Sequence, residues 1–170
     1  RILYTQRATG SRSGPNPFVA PEPCQYIWAS ADKLLTGGLP DGAQIQESRE
    51  AFPNEPITWA ANLGGKRGLR ADVLAVASLD ERRIIFTAEE IFQIDGEGLD
   101  INGVGDLGAP RKLPAACGLH GGRDGWRSLV ESDSGLFYQG VTGLIYMLPR
   151  GGGAPLEVGA PVEDTLELFP

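Results

Sequence analysis

Residues 72–95 read DVLAVASLDERRIIFTAEEIFQID. Three short apolar runs are set apart by two charged pairs, Asp80-Glu81 and Glu89-Glu90. Val73, Leu74, Val76 and Leu79 make the first run. Ile84, Ile85 and Phe86 make the second, and Ile91, Phe92 and Ile94 the third. Runs this short, rich in β-branched and aromatic side chains, suit a pleated strand rather than a helix. The stretch is expected to form three antiparallel strands joined by two tight polar turns.

The same layout occurs on either side. Ile27–Leu35 (IWASADKLL) and Leu129–Tyr138 (LVESDSGLFY) each read as a strand ending in Ser, a turn carrying Asp, and an apolar return strand. Aligning Ser30, Ser78 and Ser132 sets spacings of 48 (30 to 78) and 54 (78 to 132). A hairpin unit recurring about every 50 residues is the mark of a β-propeller or a similar array, whose units bury their faces against one another. The expected fold class is all-β: antiparallel β-propeller blades, about three units in this segment of a longer chain. The units are drawn at 24–71, 72–125 and 126–164, within a propeller region of 24–170. Residues 1–23 read as the end of a preceding strand (Ile2–Thr5) plus a Gly/Pro-rich connector.

Bulk composition narrows the function classes. The chain has 170 residues, 24 Gly and 13 Pro, which argues for many turns and few helices. Its net charge is −7 and its pI about 4.7, so sequence-independent attraction to phosphate backbones is not expected. The basic residues cluster only at Lys66-Arg67 with Arg70 and at Arg82-Arg83. No apolar run approaches the length of a membrane span. Cys24 and Cys117 are too few for a disulfide framework, and with His120 as the single histidine they make a poor zinc set. Two buried thiols are expected.

Within the first unit, Tyr26 and Trp28 should share one strand face and Ile27 the other. Ala43–Ser48 is expected as a solvent-facing third strand, and Ile57–Leu63 as a strand or one helical turn. Gly64–Gly68 (GGKRG) is expected as a flexible basic loop. It looks like a phosphate loop but lacks the Gly-x4-Gly-Lys-Ser/Thr spacing and a following helix. Gly96–Pro110 holds Glu97, Asp100, Asn102 and Asp106, oxygen donors of the kind that wrap calcium. A calcium-loop register from Asp100 fails, because Val104 and Arg111 fall where oxygen ligands are needed. A hairpin-like excursion is expected there, and cation binding by loop 96–106 stays open. Arg111–Ala116 is expected as an edge strand, which Pro114 suits.

In the third unit, strands are expected over Trp126–Ser132, Leu136–Gln139, Leu144–Leu148 and Ala154–Val158, with Gly135 free to take a positive φ at the first turn. Phe137, Tyr138 and Tyr146 are expected to pack between units. His120, Asp124 and Ser128 are the residue types of a hydrolytic triad. A triad needs spatial convergence and an oxyanion hole, and nothing in the sequence supplies either. No catalytic, cofactor-binding or metal-binding residue is assigned.

At this third unit the chain resembles a known family. Ser132–Gln139 (SDSGLFYQ), Gly143–Leu148 (GLIYML) and Val158–Asp164 (VGAPVED) resemble blades of a bacteriophage tail structural protein. Ile84–Thr87 (IIFT), Ile91–Gly96 (IFQIDG) and Cys117-Gly118 fit the same pattern, so the resemblance spans about residues 24–164. The connector Leu119–Gly125 (LHGGRDG) is longer than that pattern has. The resemblance implies a virion component, a nozzle or hub through which DNA exits, assembled in the host cytoplasm as a homo-oligomeric ring with other tail proteins. It implies no catalytic residues; DNA is expected to pass without specific binding, and no membrane span and no cofactor are expected. Two alternatives remain. One is a propeller binding module that recognises a protein or glycan, for which Trp59 and Trp126 are the loop-adjacent aromatics. The other is a glycoside-processing propeller, which requires two carboxylates facing one pocket.

Overall fold

A computed structural model of the chain describes residues 21–30, 32–51, 57–59, 65–114 and 117–158. The expectations for Ile2–Thr5, for residues 60–63 and for 159–164 lie outside the described residues. Within them the protein is all-β, with three four-stranded antiparallel sheets. The first contains β1 (Tyr26–Ser30), β2 (Lys33–Gly37), β3 (Gln44–Glu47) and β4 (Lys66–Gly68), in that order. In the second, β5 (Ala75–Leu79), β6 (Arg82–Phe86), β7 (Ile91–Ile94) and β10 (Arg111–Lys112) follow one another. Between β7 and β10 the chain makes a small hairpin of β8 (Gly98–Leu99) and β9 (Gly105–Asp106). The third sheet runs β11 (Val130–Glu131), β12 (Gly135–Gln139), β13 (Ile145–Pro149), β14 (Leu156–Glu157).

The second sheet is buried on both faces, and its two-residue period separates them. Ala75, Ala77, Leu79, Ile84, Phe86 and Ile91 join a core with Leu136, Tyr138 and Leu148 of the third sheet. Val76, Ile85 and Ile94 point the other way and join Tyr26, Leu35 and Ile45 of the first sheet. The three expected strands of 72–95 are therefore present, breaking at the two charged pairs. Asp80 and Glu81 form the tight turn with φ of 50° and 64°. Left-handed backbone at a non-glycine residue costs roughly 1–3 kcal/mol each. The turn matches strand twist only with both residues so placed.

Four expectations are corrected. Ser78 is not the counterpart of Ser30. The hairpins pair Ser30 with Lys33 and Leu79 with Arg82, so Leu79 holds the equivalent position. The one-residue offset turns Ser78 onto the face toward the first sheet, where its hydroxyl meets that of Ser30 at 2.9 Å. Strand β3 is not solvent-facing: Ile45, Gln46, Glu47 and Ser48 are all buried. The expected basic loop is largely strand, because Lys66–Gly68 pairs along Gln44–Gln46 and covers the edge of β3. Trp126–Ser128 is not strand but part of a 3-10 helix, Gly122–Ser128, entered through Gly121 at φ 84°. The glycines of this connector let the chain coil before β11 begins.

Candidate functional site

The hairpin ends of the sheets hold most of the described polar chemistry. Arg83, on β6, reaches across to Glu47 on β3, with Nε–Oε1 at 2.5 Å, and both side chains are almost fully buried. The guanidinium also donates to the carbonyls of Glu81 (2.9 Å), Gly96 and Glu97 (3.1 Å). Glu47 Oε2 is buried without a partner, as is Nε of Arg49 two residues on. The β8–β9 hairpin lies against both: a Cβ on Gly98 would stand 1.9 Å from Glu47 Oε2, and one on Gly103 2.7 Å from Arg49 Nε. Gly98 also has φ +72°, so no other residue fits there without strain.

Beside this pair opens a polar recess of about 550 Å3, whose wall includes Asp32, Lys33, Asp80, Glu81, Arg82 and Glu97. Lys33 Nζ donates to the Glu97 carbonyl across it. Asp80 is held from the third sheet: Arg150 Nη1 donates to Oδ1 and Gly151 N to Oδ2, each at 2.7 Å. The Gly151 amide, then Arg150, hold the Asp80 carboxyl below its ordinary value. Arg150 also binds Glu131 at 3.0 Å. Asp95 lies near Arg111 (3.7 Å) and Arg82 (3.9 Å). The Glu47, Asp80, Asp95 and Glu131 carboxylates thus serve as partners for neighbouring cations and turns.

A second, apolar groove of about 450 Å3 lies where the first strands meet, bordered by Trp28, Val76, Trp126 and Leu129. Trp126 is half exposed, with the Arg127 guanidinium 5.6 Å from its ring centre. Trp59, the other aromatic considered for recognition, is buried. A third recess beside Cys24 is lined also by Asp41 and Asp72. Burial pushes the Cys24 thiol up, which weakens it as a nucleophile. Cys24 and Cys117 are half-buried and unbridged.

The other sequence candidates are placed as follows. Ser128 Oγ donates to the Gly125 carbonyl (2.8 Å) and accepts from Gln139 N (3.2 Å), closing the end of the 3-10 helix rather than facing a base. His120 is exposed, and Asp124 faces Arg127 at 3.5 Å. Asp100 Oδ1 accepts from the amides of Asn102 (2.9 Å) and Val104 (2.7 Å), so this carboxylate shapes the hairpin turn. Lys66 is paired with Glu22, and Arg67 with Asp106 and the carbonyls of Leu107 and Gly108. Among the described residues no three His, Cys, Asp or Glu side chains gather as a metal site. None of the described helices is long and apolar enough to cross a membrane. Sequence reasoning missed the Glu47–Arg83 pair and the Arg150–Asp80 contact, since each joins residues distant along the chain. No family model matches the chain, and no curated protein matches it.

Proposed function

We propose that this chain is a structural segment, three blades of a β-propeller whose work is assembly rather than catalysis. The observation that carries the reading is the repeated sheet: three successive four-stranded meanders, packed face to face. The groove bordered by Trp28 of β1, Val76 of β5 and Leu129 just before β11 supports a common inner edge formed by the three first strands. A propeller sets its blades in this way around an axis. The setting in a phage-type tail rests on the resemblance of the strand motifs. A net charge of −7 favours a conduit that DNA crosses without being held, because each phosphate paired with a cation adds affinity. Burial of Trp59 takes away one of the two aromatics on which a recognition face would rest.

Electron cryo-microscopy of the assembled protein tests the reading. The expected result is a set of sheets radiating from one axis, with β1, β5 and β11 innermost. Sheets without a common axis would overturn the propeller. A closed pocket with two facing carboxylates would replace it with the glycoside-processing alternative.

A further inference from the structure

The tip of the β8–β9 hairpin carries a chemistry that the fold does not use. Residues 100–104 read DINGV. Asp100 N donates to the Val104 carbonyl at 2.8 Å and Gly103 N to the Asp100 carbonyl at 3.0 Å, so Ile101, Asn102 and Gly103 make the turn. Asn102 is exposed, and Gly103 has φ +76°. Asn102-Gly103 is the one Asn-Gly step in the chain; Asn16, Asn54 and Asn62 precede Pro, Glu and Leu. A glycine puts no side chain beside its own amide nitrogen and leaves its backbone free to turn. That nitrogen can therefore close on the carboxamide of the residue before it.

The reaction balances without any co-reactant but water. The Gly103 nitrogen gives up its proton and bonds to Asn102 Cγ. The Cγ–Nδ2 bond breaks, and Nδ2 takes up a proton and leaves as ammonia. Water then opens the five-membered imide. Opening at Cγ leaves an aspartate side chain. Opening at the backbone carbonyl carbon reroutes the chain through Cβ and Cγ and leaves the α-carboxylate as a branch. Either product puts a carboxylate, ionised at neutral pH, where a neutral amide stood. The net charge of the chain goes from −7 to −8.

Under this tip lies Arg49, two residues past the end of β3. It is 7% exposed, and its Nε is buried without a partner. A Cβ on Gly103 would stand 2.7 Å from Nε, 2.9 Å from Cζ and 3.2 Å from Nη2, so the backbone of the tip rests on the guanidinium. A buried charge without a counter-charge is costly. Asp100, the acid of the tip, already spends Oδ1 on the amides of Asn102 and Val104.

We infer that Asn102 is a site of spontaneous deamidation, and that the carboxylate formed there pairs with Arg49 and fastens the hairpin tip to the end of β3. The Gly103 amide is released when the exposed turn opens locally, so the native chain should convert more slowly than the unfolded one. The inference needs no axis or blade, so it stands or falls separately from the proposed function.

Ageing the whole chain in warm, mildly alkaline buffer tests it, with and without urea, followed by isoelectric focusing and peptide mass spectrometry. The expected result is a native band more acidic by a single charge, with the change confined to the tryptic peptide Ile84–Arg111 and absent from the peptide holding Asn54 and Asn62. Labelling by an isoaspartyl methyltransferase should place the rerouted linkage at residue 102. Asn102→Ser should keep the original band. Asn102→Asp, which installs the carboxylate directly, should slow hydrogen exchange of the Gly103 and Val104 amides about two- to fivefold, the gain of a partly exposed ion pair. Asn102→Ser should not slow it. A native chain that keeps its amide at residue 102 while the unfolded chain loses it overturns the inference. So does tip exchange that is as fast in Asn102→Asp as in the native chain, because the new carboxylate would then leave Arg49 unpaired.

Discussion

The two faces of the second sheet solve the same packing problem differently. Toward the third sheet the contact is apolar but for the Tyr138 hydroxyl, with the Phe86 and Tyr138 rings 5.1 Å apart and tilted by 59°. Polar ties there sit at the rim, where Arg150 holds Asp80. Toward the first sheet an apolar core is joined by a buried ion pair, Arg83–Glu47, and a serine pair, Ser30–Ser78. An apolar face tolerates small slides, because dispersion and burial have little direction. A buried charge pair does not, because a slide strands both charges. The first interface therefore fixes register through direction, the second through the shape of its rings.

The largest test of this contrast is Arg83→Leu. It leaves the Glu47 carboxylate buried without its cation and should cost roughly 3–5 kcal/mol in urea unfolding. The double variant Glu47→Leu with Arg83→Leu should recover most of that loss, since an apolar replacement of both partners removes the stranded charge. If single and double variants are equally unstable, the pair does not set the contact, and the two faces differ less than their chemistry implies.

This buried pair is also where sequence reading stopped. The strands of 75–79, 82–86 and 91–94 were legible because short apolar runs between charged pairs are a local signal. The meander of the third sheet was legible because glycine-bearing turns, among them Gly135, Gly143 and Gly151–Gly153, separate its short apolar runs. Arg83 read only as half of a basic pair, because its partner lies 36 positions away and nothing near either residue announces burial. Strand β3 has alternating polar residues, so it read as solvent-facing. Its burial comes from β4 and the β8–β9 hairpin, contacts that no periodicity encodes. The serine alignment slipped by one because identity of residue type is a weaker guide than hairpin register. Recognition of the 3-10 helix failed where glycines permit several backbones equally.

On the other face, Phe86→Leu should cost about 1–2 kcal/mol, the loss of a ring pair plus imperfect refilling. Tyr138→Phe sharpens the test in the opposite direction. The Tyr138 hydroxyl is buried without a partner, and its pKa is driven far up, by burial first and then by the neighbouring Cys117 thiol. Removing an unsatisfied buried group keeps the ring contact and should leave stability unchanged or raised by up to about 1 kcal/mol. A loss on Tyr138→Phe would show that the hydroxyl has a bonding role, and the face would no longer be purely one of shape.

The smallest effect belongs to the rim, and it is a matter of pH. Asp80 is held below its ordinary value near 3.8 by the Gly151 amide first and Arg150 second. A lowered carboxyl pKa in the folded state means that the unfolded chain takes up the proton more readily. The contribution is therefore complete above the ordinary value and is lost as pH falls through the lowered one. Between pH 5 and 7 Arg150 should add no pH dependence through Asp80. Arg150→Gln removes the second of these causes and leaves the amide and the weaker pull of the Arg82 charge, so carboxyl carbon shifts in an NMR titration should place Asp80 nearer to, yet still below, its ordinary value. Acid-induced loss of stability below about pH 4 should shrink in the same variant. If the midpoint does not move, the Gly151 amide and the Arg82 charge suffice to hold the carboxylate, and the tie between the second and third sheets is a backbone contact rather than an ion pair.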